Sequence, residues 1–195
     1  ALTIIIKGND PSKAAKQISL TDLGSIRVSK EETKQMAATI PRSSILGFII
    51  GVLPGAGATI ASFLAYGMER NFVKREEKEK FGKGSVQGLS APETANNAAC
   101  SGSFVPLLTL GIPGSGTTAV MLGALLGFGI QPGPRLYETN PDIFWSVIMS
   151  MYIGMVVLLI LNLPLIPYIA RILAVPRTFL IPMILFFSVT GIYLM

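Results

Sequence analysis

Apolar and polar residues fall into alternating blocks along this chain. Residues 1–40 are mixed and charged, an apolar run follows from Ser43 to Leu53, then Pro54-Gly-Ala-Gly57, then a second apolar run from Ala58 to Met68. Each apolar limb is ten or eleven residues, roughly 16 Å as helix against a hydrocarbon core of about 30 Å, so neither limb crosses a bilayer alone. A polar connector over 69–88, punctuated by Gly82, Gly84 and Gly88, leads into a longer stretch at 90–130 that is interrupted at Pro113-Gly-Ser-Gly116. Helical hydrogen bonding cannot continue through that run, because Pro113 has no N–H and the glycines resist a fixed helical backbone. After a loop over 131–142, residues 142–164 are the clearest spanning helix, which Pro164 and Pro167 are expected to kink or end, and another apolar segment starts at Phe179.

This pattern predicts an all-α polytopic membrane protein: a re-entrant helical hairpin, then a discontinuous transmembrane helix, then further spans. Local signals sharpen the boundaries. Ser29-Lys-Glu-Glu32 and Ser90-Ala-Pro-Glu93 each fit a capping box at a helix start. Basic residues flank the first apolar pair on both sides, Lys34 and Arg42 before it and Arg70, Lys74, Arg75, Lys78, Lys80 and Lys83 after it. Cytoplasmic loops are rich in Lys and Arg, so this segment is expected to dip in and return, with 1–40 a cytoplasmic loop or linker, 69–88 a cytoplasmic connector and 41–195 the transmembrane transport domain. One broken spanning helix is the alternative. Arg135 is the lone cation of the 131–142 loop, which places that loop outside; Arg171 and Arg177 bracket a short loop at Ala174-Val-Pro176 placed back inside.

Composition narrows the function. Half of the residues are hydrophobic and 14% are charged, where an average soluble domain has about 25% charged residues. Histidine is absent and Cys100 is the single cysteine, so no internal disulfide, Cys/His metal site or histidine proton chemistry is available. The net charge of +5 lies in the segments flanking apolar runs, which argues for membrane topology and against nucleic acid. The chain starts at Ala1 and stops at Met195 within an apolar run, and is read as a fragment of a longer protein.

The two breaks share one frame. Pro54-Gly-Ala-Gly-Ala-Thr59 matches Pro113-Gly-Ser-Gly-Thr-Thr118 as Pro-Gly-x-Gly-x-Thr. Opened backbone in hydrocarbon leaves peptide groups unpaired at several kcal/mol each, so such breaks persist only against protein or a watery cavity. Helix N-termini favour anions, and the carbonyl ends of preceding limbs favour cations. The candidate substrate-binding residues are therefore Pro54, Gly55, Ala56, Gly57 and Thr59 with Pro113, Gly114, Ser115, Gly116, Thr117 and Thr118: glycines for close backbone approach, hydroxyls for carboxylate oxygens or a sodium shell. Asn96 and Asn97 lie in the helix before the second break and are candidates for a coupling ion, sodium or proton, with interhelical hydrogen bonding as the alternative. Glu93 is read as a helix-capping carboxylate. No metal site and no cofactor is expected.

The motifs Gly51-Val-Leu-Pro-Gly-Ala-Gly-Ala-Thr59, Ala91-Pro-Glu-Thr-Ala-Asn-Asn-Ala98, Pro106-Leu-Leu-Thr-Leu-Gly-Ile-Pro-Gly-Ser-Gly-Thr-Thr-Ala119 and Gly129-Ile-Gln-Pro-Gly-Pro134 resemble the large permease subunit of bacterial tripartite tricarboxylate transporters, over its second half. The resemblance implies a multi-pass inner-membrane permease working with a small membrane subunit and a periplasmic solute-binding protein. It also implies secondary active import of citrate or related carboxylates on an ion gradient, with both Pro-Gly motifs at the transport site. The hairpin followed by a broken helix looks like one repeat of an elevator-type transporter, an analogy at the level of fold. Two other classes compete with this reading. A soluble phosphate-binding enzyme fails because neither glycine run completes a dinucleotide fingerprint or is followed by a P-loop lysine. A channel or structural membrane subunit without its own substrate site is the remaining alternative.

Overall fold

The computed structural model describes residues 28–170 and 177–194. Residues 1–27 of the linker expected over 1–40 and the loop at Ala174-Val-Pro176 lie outside the described residues. The chain divides into a unit of Arg27–Tyr152 and a second unit that includes Ile153–Met195. The described elements are helical, and no strand occurs among the described residues.

In the first unit, α1 (Lys30–Val52) begins at Ser29, whose hydroxyl accepts from the Glu32 N–H at 3.2 Å while Glu32 Oε2 accepts from the Ser29 N–H at 2.7 Å. This is the capping box expected from the sequence. The helix it opens is longer than the apolar limb alone: 23 residues, roughly 35 Å and enough to cross a hydrocarbon core. Hydropathy missed the extension because residues 30–40 are polar, although Lys, Glu, Gln, Met and Ala are good helix formers. A turn at 53–56 then reverses the chain into α2 (Gly57–Phe72), also longer than expected.

A short helix, α3 (Arg75–Lys78), and left-handed glycines at Gly82 and Gly84 shape the connector. Phe81 fixes it to the helices, meeting the Tyr66 ring edge-on at 5.3 Å between centroids. Next comes α4 (Val86–Gly102), whose cap is Ser85, accepting from the Gly88 N–H at 3.0 Å. The capping box expected at Ser90–Glu93 is therefore corrected: those residues sit inside the helix, which Ser85 starts a turn earlier.

Helices α1, α2 and α4 pack through small residues at four-residue spacing. Thr39, Ser43, Gly47 and Gly51 of α1 are buried, as are Ala61 and Ala65 of α2 and Ala91, Ala95 and Ala99 of α4. A methyl group on Gly47 would stand 2.6 Å from the Ala95 Cα, and one on Gly51 would stand 2.6 Å from the Ala99 Cα. No side chain fits there. The two pairings advance in the same direction, so α1 and α4 run parallel with their backbones in contact, the close approach that small-residue stripes allow in membrane helices.

The stretch after α4 breaks twice. Ser103 separates α4 from α5 (Phe104–Leu110), and Gly111, left-handed at φ 68°, ends α5. Residues 112–115 cross to α6 (Gly116–Gly127). The first of these breaks was not foreseen; its cause is Pro106, which cannot donate to the carbonyl one turn back. Leu136, buried, begins the one-turn α7 (Leu136–Thr139), and the chain enters α8 (Pro141–Ala170). Pro164 and Pro167 were expected to kink or end this helix; they do not end it.

The second unit holds the distal part of α8 and α9 (Arg177–Leu194). Their described side chains are largely exposed and apolar, among them Leu158, Ile160, Phe186 and Phe187. Among the described residues, two helices, Lys30–Val52 and Pro141–Ile166, are long and apolar enough to cross a membrane.

Candidate functional site

Both Pro-Gly turns open onto one cavity of about 590 Å³ within the first unit. Gly55, Gly57 and Thr59 line it from the first turn, and Pro113, Gly114, Ser115, Gly116, Thr117 and Thr118 from the second. Cys100, Ser103 and Phe104, at the junction of α4 and α5, complete the wall with Ala58 and Ala119. Pro54 and Ala56 belong to the first turn but are not among the lining residues. Among the described residues, no charged side chain lines the cavity.

Each turn is built by a different local device. At the first, Gly55 and Gly57 take left-handed φ values of 79° and 68°, and α2 starts at Ala56 without a side-chain cap. The first N–H groups of a helix have no intrahelical acceptor, so those of α2 remain available to a ligand. At the second, Ser115 caps α6: its hydroxyl accepts from the Thr118 N–H at 3.3 Å, and Thr118 Oγ1 accepts from the Ser115 N–H at 2.8 Å. Thr118 is 2% exposed and its hydroxyl is held by Ser115. The hydroxyls of Thr59 and Thr117 make no hydrogen bond among the described residues, and both residues are exposed.

Gly114 is where the second turn touches the helix stripe. A methyl group there would lie 2.9 Å from Ser103 Cβ and 3.3 Å from the Gly51 carbonyl oxygen. The end of α1, the α4–α5 junction and the second turn thus meet at one point.

The two asparagines do not line the cavity and differ in what they touch. Asn96 Nδ2 donates to Ser62 Oγ at 3.3 Å, joining α4 to α2, and the Cys100 thiol lies 3.9 Å from Asn96 Oδ1. Asn97 Nδ2 donates to the Glu93 carbonyl on its own helix, and Asn97, Glu93 and Cys100 are exposed on the side of α4 away from its alanines.

One polar group escaped the sequence reading. Glu69, taken as part of the charged connector, is fully buried at the end of α2, accepting from Thr39 Oγ1 and from Arg42 Nη2, each at 2.7 Å. The available signal was its spacing: Glu69 falls four residues after Ala65, on the buried stripe of α2.

The family model described as the tripartite tricarboxylate transporter TctA family matches residues 2–195. A protein of Agrobacterium vitis described as an uncharacterized 52.8 kDa protein in the TAR-I ttuC′ 3′ region is 41% identical over 185 residues, covering 95% of this chain and 36% of that protein. Another from the same organism, described as an uncharacterized protein in the TAR-II ttuC′ 3′ region, is 46% identical over 147 residues, covering 75% of this chain and 60% of its own length. The chain thus spans between about a third and three-fifths of these relatives. No solved structure matches it.

Proposed function

The chain belongs to the tripartite tricarboxylate transporter TctA family, and we propose that it carries the substrate cavity of a membrane permease that imports tricarboxylates or related carboxylates. The observation that supports this reading is the shared cavity: two helix starts face one space with no charged side chain in its lining. A carboxylate there is held by N–H groups and helix dipoles at Gly57–Thr59 and Gly116–Thr117, with the Thr59 and Thr117 hydroxyls completing the contacts. Glycine at Gly55 and Gly57 keeps Cβ atoms out of the ligand's path.

Dipoles alone neutralise a multiply charged anion poorly, so a coupling cation, sodium or proton, accompanies the substrate and makes the import secondary active. Asn97, exposed near the cavity end of α4, is its candidate ligand, while Asn96 serves chiefly to join α4 and α2. The remaining assignments are the multi-pass inner-membrane location, a small membrane subunit, delivery by a periplasmic binding protein and an elevator-like motion of the α1–α2 hairpin. The family and the paired breaks are what support them.

The test is thermal stabilisation of the full-length permease by mono-, di- and tricarboxylates, with and without sodium. Stabilisation by a tricarboxylate that Thr59→Val weakens is the expected result. A protein that responds to no carboxylate, or whose response is unchanged by substitutions at both turns, removes the cavity from the transport path and favours a structural subunit.

A further inference from the structure

The surroundings of Glu69 contain more hydrogen-bonding capacity than the protein uses. Glu69 Oε1 is satisfied by Thr39 and Arg42, and the Arg42 guanidinium also stands over the Phe72 ring, 5.0 Å from its centroid. Glu69 Oε2, the Arg42 Nε–H and the Ser43 hydroxyl are all buried and have no hydrogen-bond partner among the described residues. Thr39 and Ser43 sit one turn apart on the buried stripe of α1, both fully buried. Above them Gln87 of α4 donates to the Gln35 carbonyl at 3.3 Å, and α4 presents alanines below.

These three atoms form a complementary set: an acceptor, a donor, and a hydroxyl that can act as either. A buried water needs two to four polar partners, and these three atoms are of the kinds it takes. A metal cation fits badly. The guanidinium already balances the carboxylate, so a second cation would bring uncompensated positive charge.

We propose that Thr39, Arg42, Ser43 and Glu69 build a buried binding site for one water molecule, which completes the Arg42–Glu69 ion pair and ties α1 to α2 at the end of the hairpin remote from the Pro-Gly turn. The site stands on the Glu69 surroundings alone and is independent of what the cavity binds. Its consequence is that the carboxylate at the helix interface is fully hydrogen-bonded, fixing the register of the two hairpin helices.

Ser43 and Glu69 share no direct hydrogen bond, so energetic coupling between them reports the bridging molecule. In the full-length permease, Ser43→Ala and Glu69→Gln should each lower the apparent Tm, with the double variant falling clearly short of the summed shifts. If Glu69→Gln does not fold, Arg42→Lys replaces it in the cycle, since it keeps the charge and removes the Nε donor. A map of the permease fine enough to show ordered waters should hold one within hydrogen-bonding distance of Glu69 Oε2 and of Arg42 Nε or Ser43 Oγ. Additive shifts, an empty map at that position, or sodium-dependent stabilisation that Glu69→Gln abolishes would each overturn the proposal.

Discussion

At the first Pro-Gly turn the backbone does the work: two left-handed glycines reverse the chain, the following helix is left uncapped, and a methyl group added at Gly55 or Gly57 would meet nothing within 4 Å. At the second, the left-handed residue is displaced to Gly111, Gly114 is pressed between Ser103 and Gly51, and Ser115 with Thr118 closes the helix start. The same Pro-Gly-x-Gly-x-Thr frame therefore yields an open tip and an anchored one. Equivalent letters do different jobs: Thr59 offers a hydroxyl outward, whereas Thr118 has its hydroxyl committed to Ser115.

That contrast is sharpest at Gly114. A valine there must displace Ser103 and the Gly51 backbone, so Gly114→Val should destabilise the permease by about 2–3 kcal/mol, as overpacking does. Chemical denaturation of the purified permease measures this, and a loss below that of any first-turn variant would break the distinction. Thr118→Val removes half of the capping box and should cost about 1–2 kcal/mol by the same assay. A substrate-affinity change without a stability change would instead give Thr118 a direct contact with the ligand.

Smaller effects separate the glycines. Gly57→Ala meets no atoms but must hold a left-handed φ, costing about 1 kcal/mol; Gly116→Ala, with open space and an ordinary φ, should move stability by less than about 0.5 kcal/mol. Equal losses at both positions would mean that the turns are not distinct. Least visible in stability is Thr59→Val, expected within about 0.5 kcal/mol of wild type yet raising the apparent dissociation constant for a carboxylate several-fold. Unaltered binding would leave the open tip without its hydroxyl role.

Much of this was legible in the residues. Pro and Gly announce broken hydrogen bonding by their covalent structure, so both turns and the Ser29 capping box could be placed before any coordinates. What failed was whatever depends on competition between neighbours. Ser90 and Ser85 both carry a capping hydroxyl, and only the folded connector, pinned by Phe81, favours Ser85. Pro164 and Pro167 were expected to kink or end their helix, and of these two outcomes the ending does not occur, since the helix continues to Ala170. Glu69 looked like one more connector charge, because burial is a property of three helices meeting and not of the local sequence. The convergence of both turns on one cavity was inferred from repetition; its wall at Cys100, Ser103 and Phe104 was not, since that wall depends on the break that Pro106 imposes.

Cys100 supplies a practical corollary. It is the single thiol of this sequence, it is exposed, and it stands in the cavity wall within sulfur hydrogen-bonding range of Asn96. A fluorescent maleimide attached there would sit beside both helix starts, turning occupancy of the chamber into an optical signal.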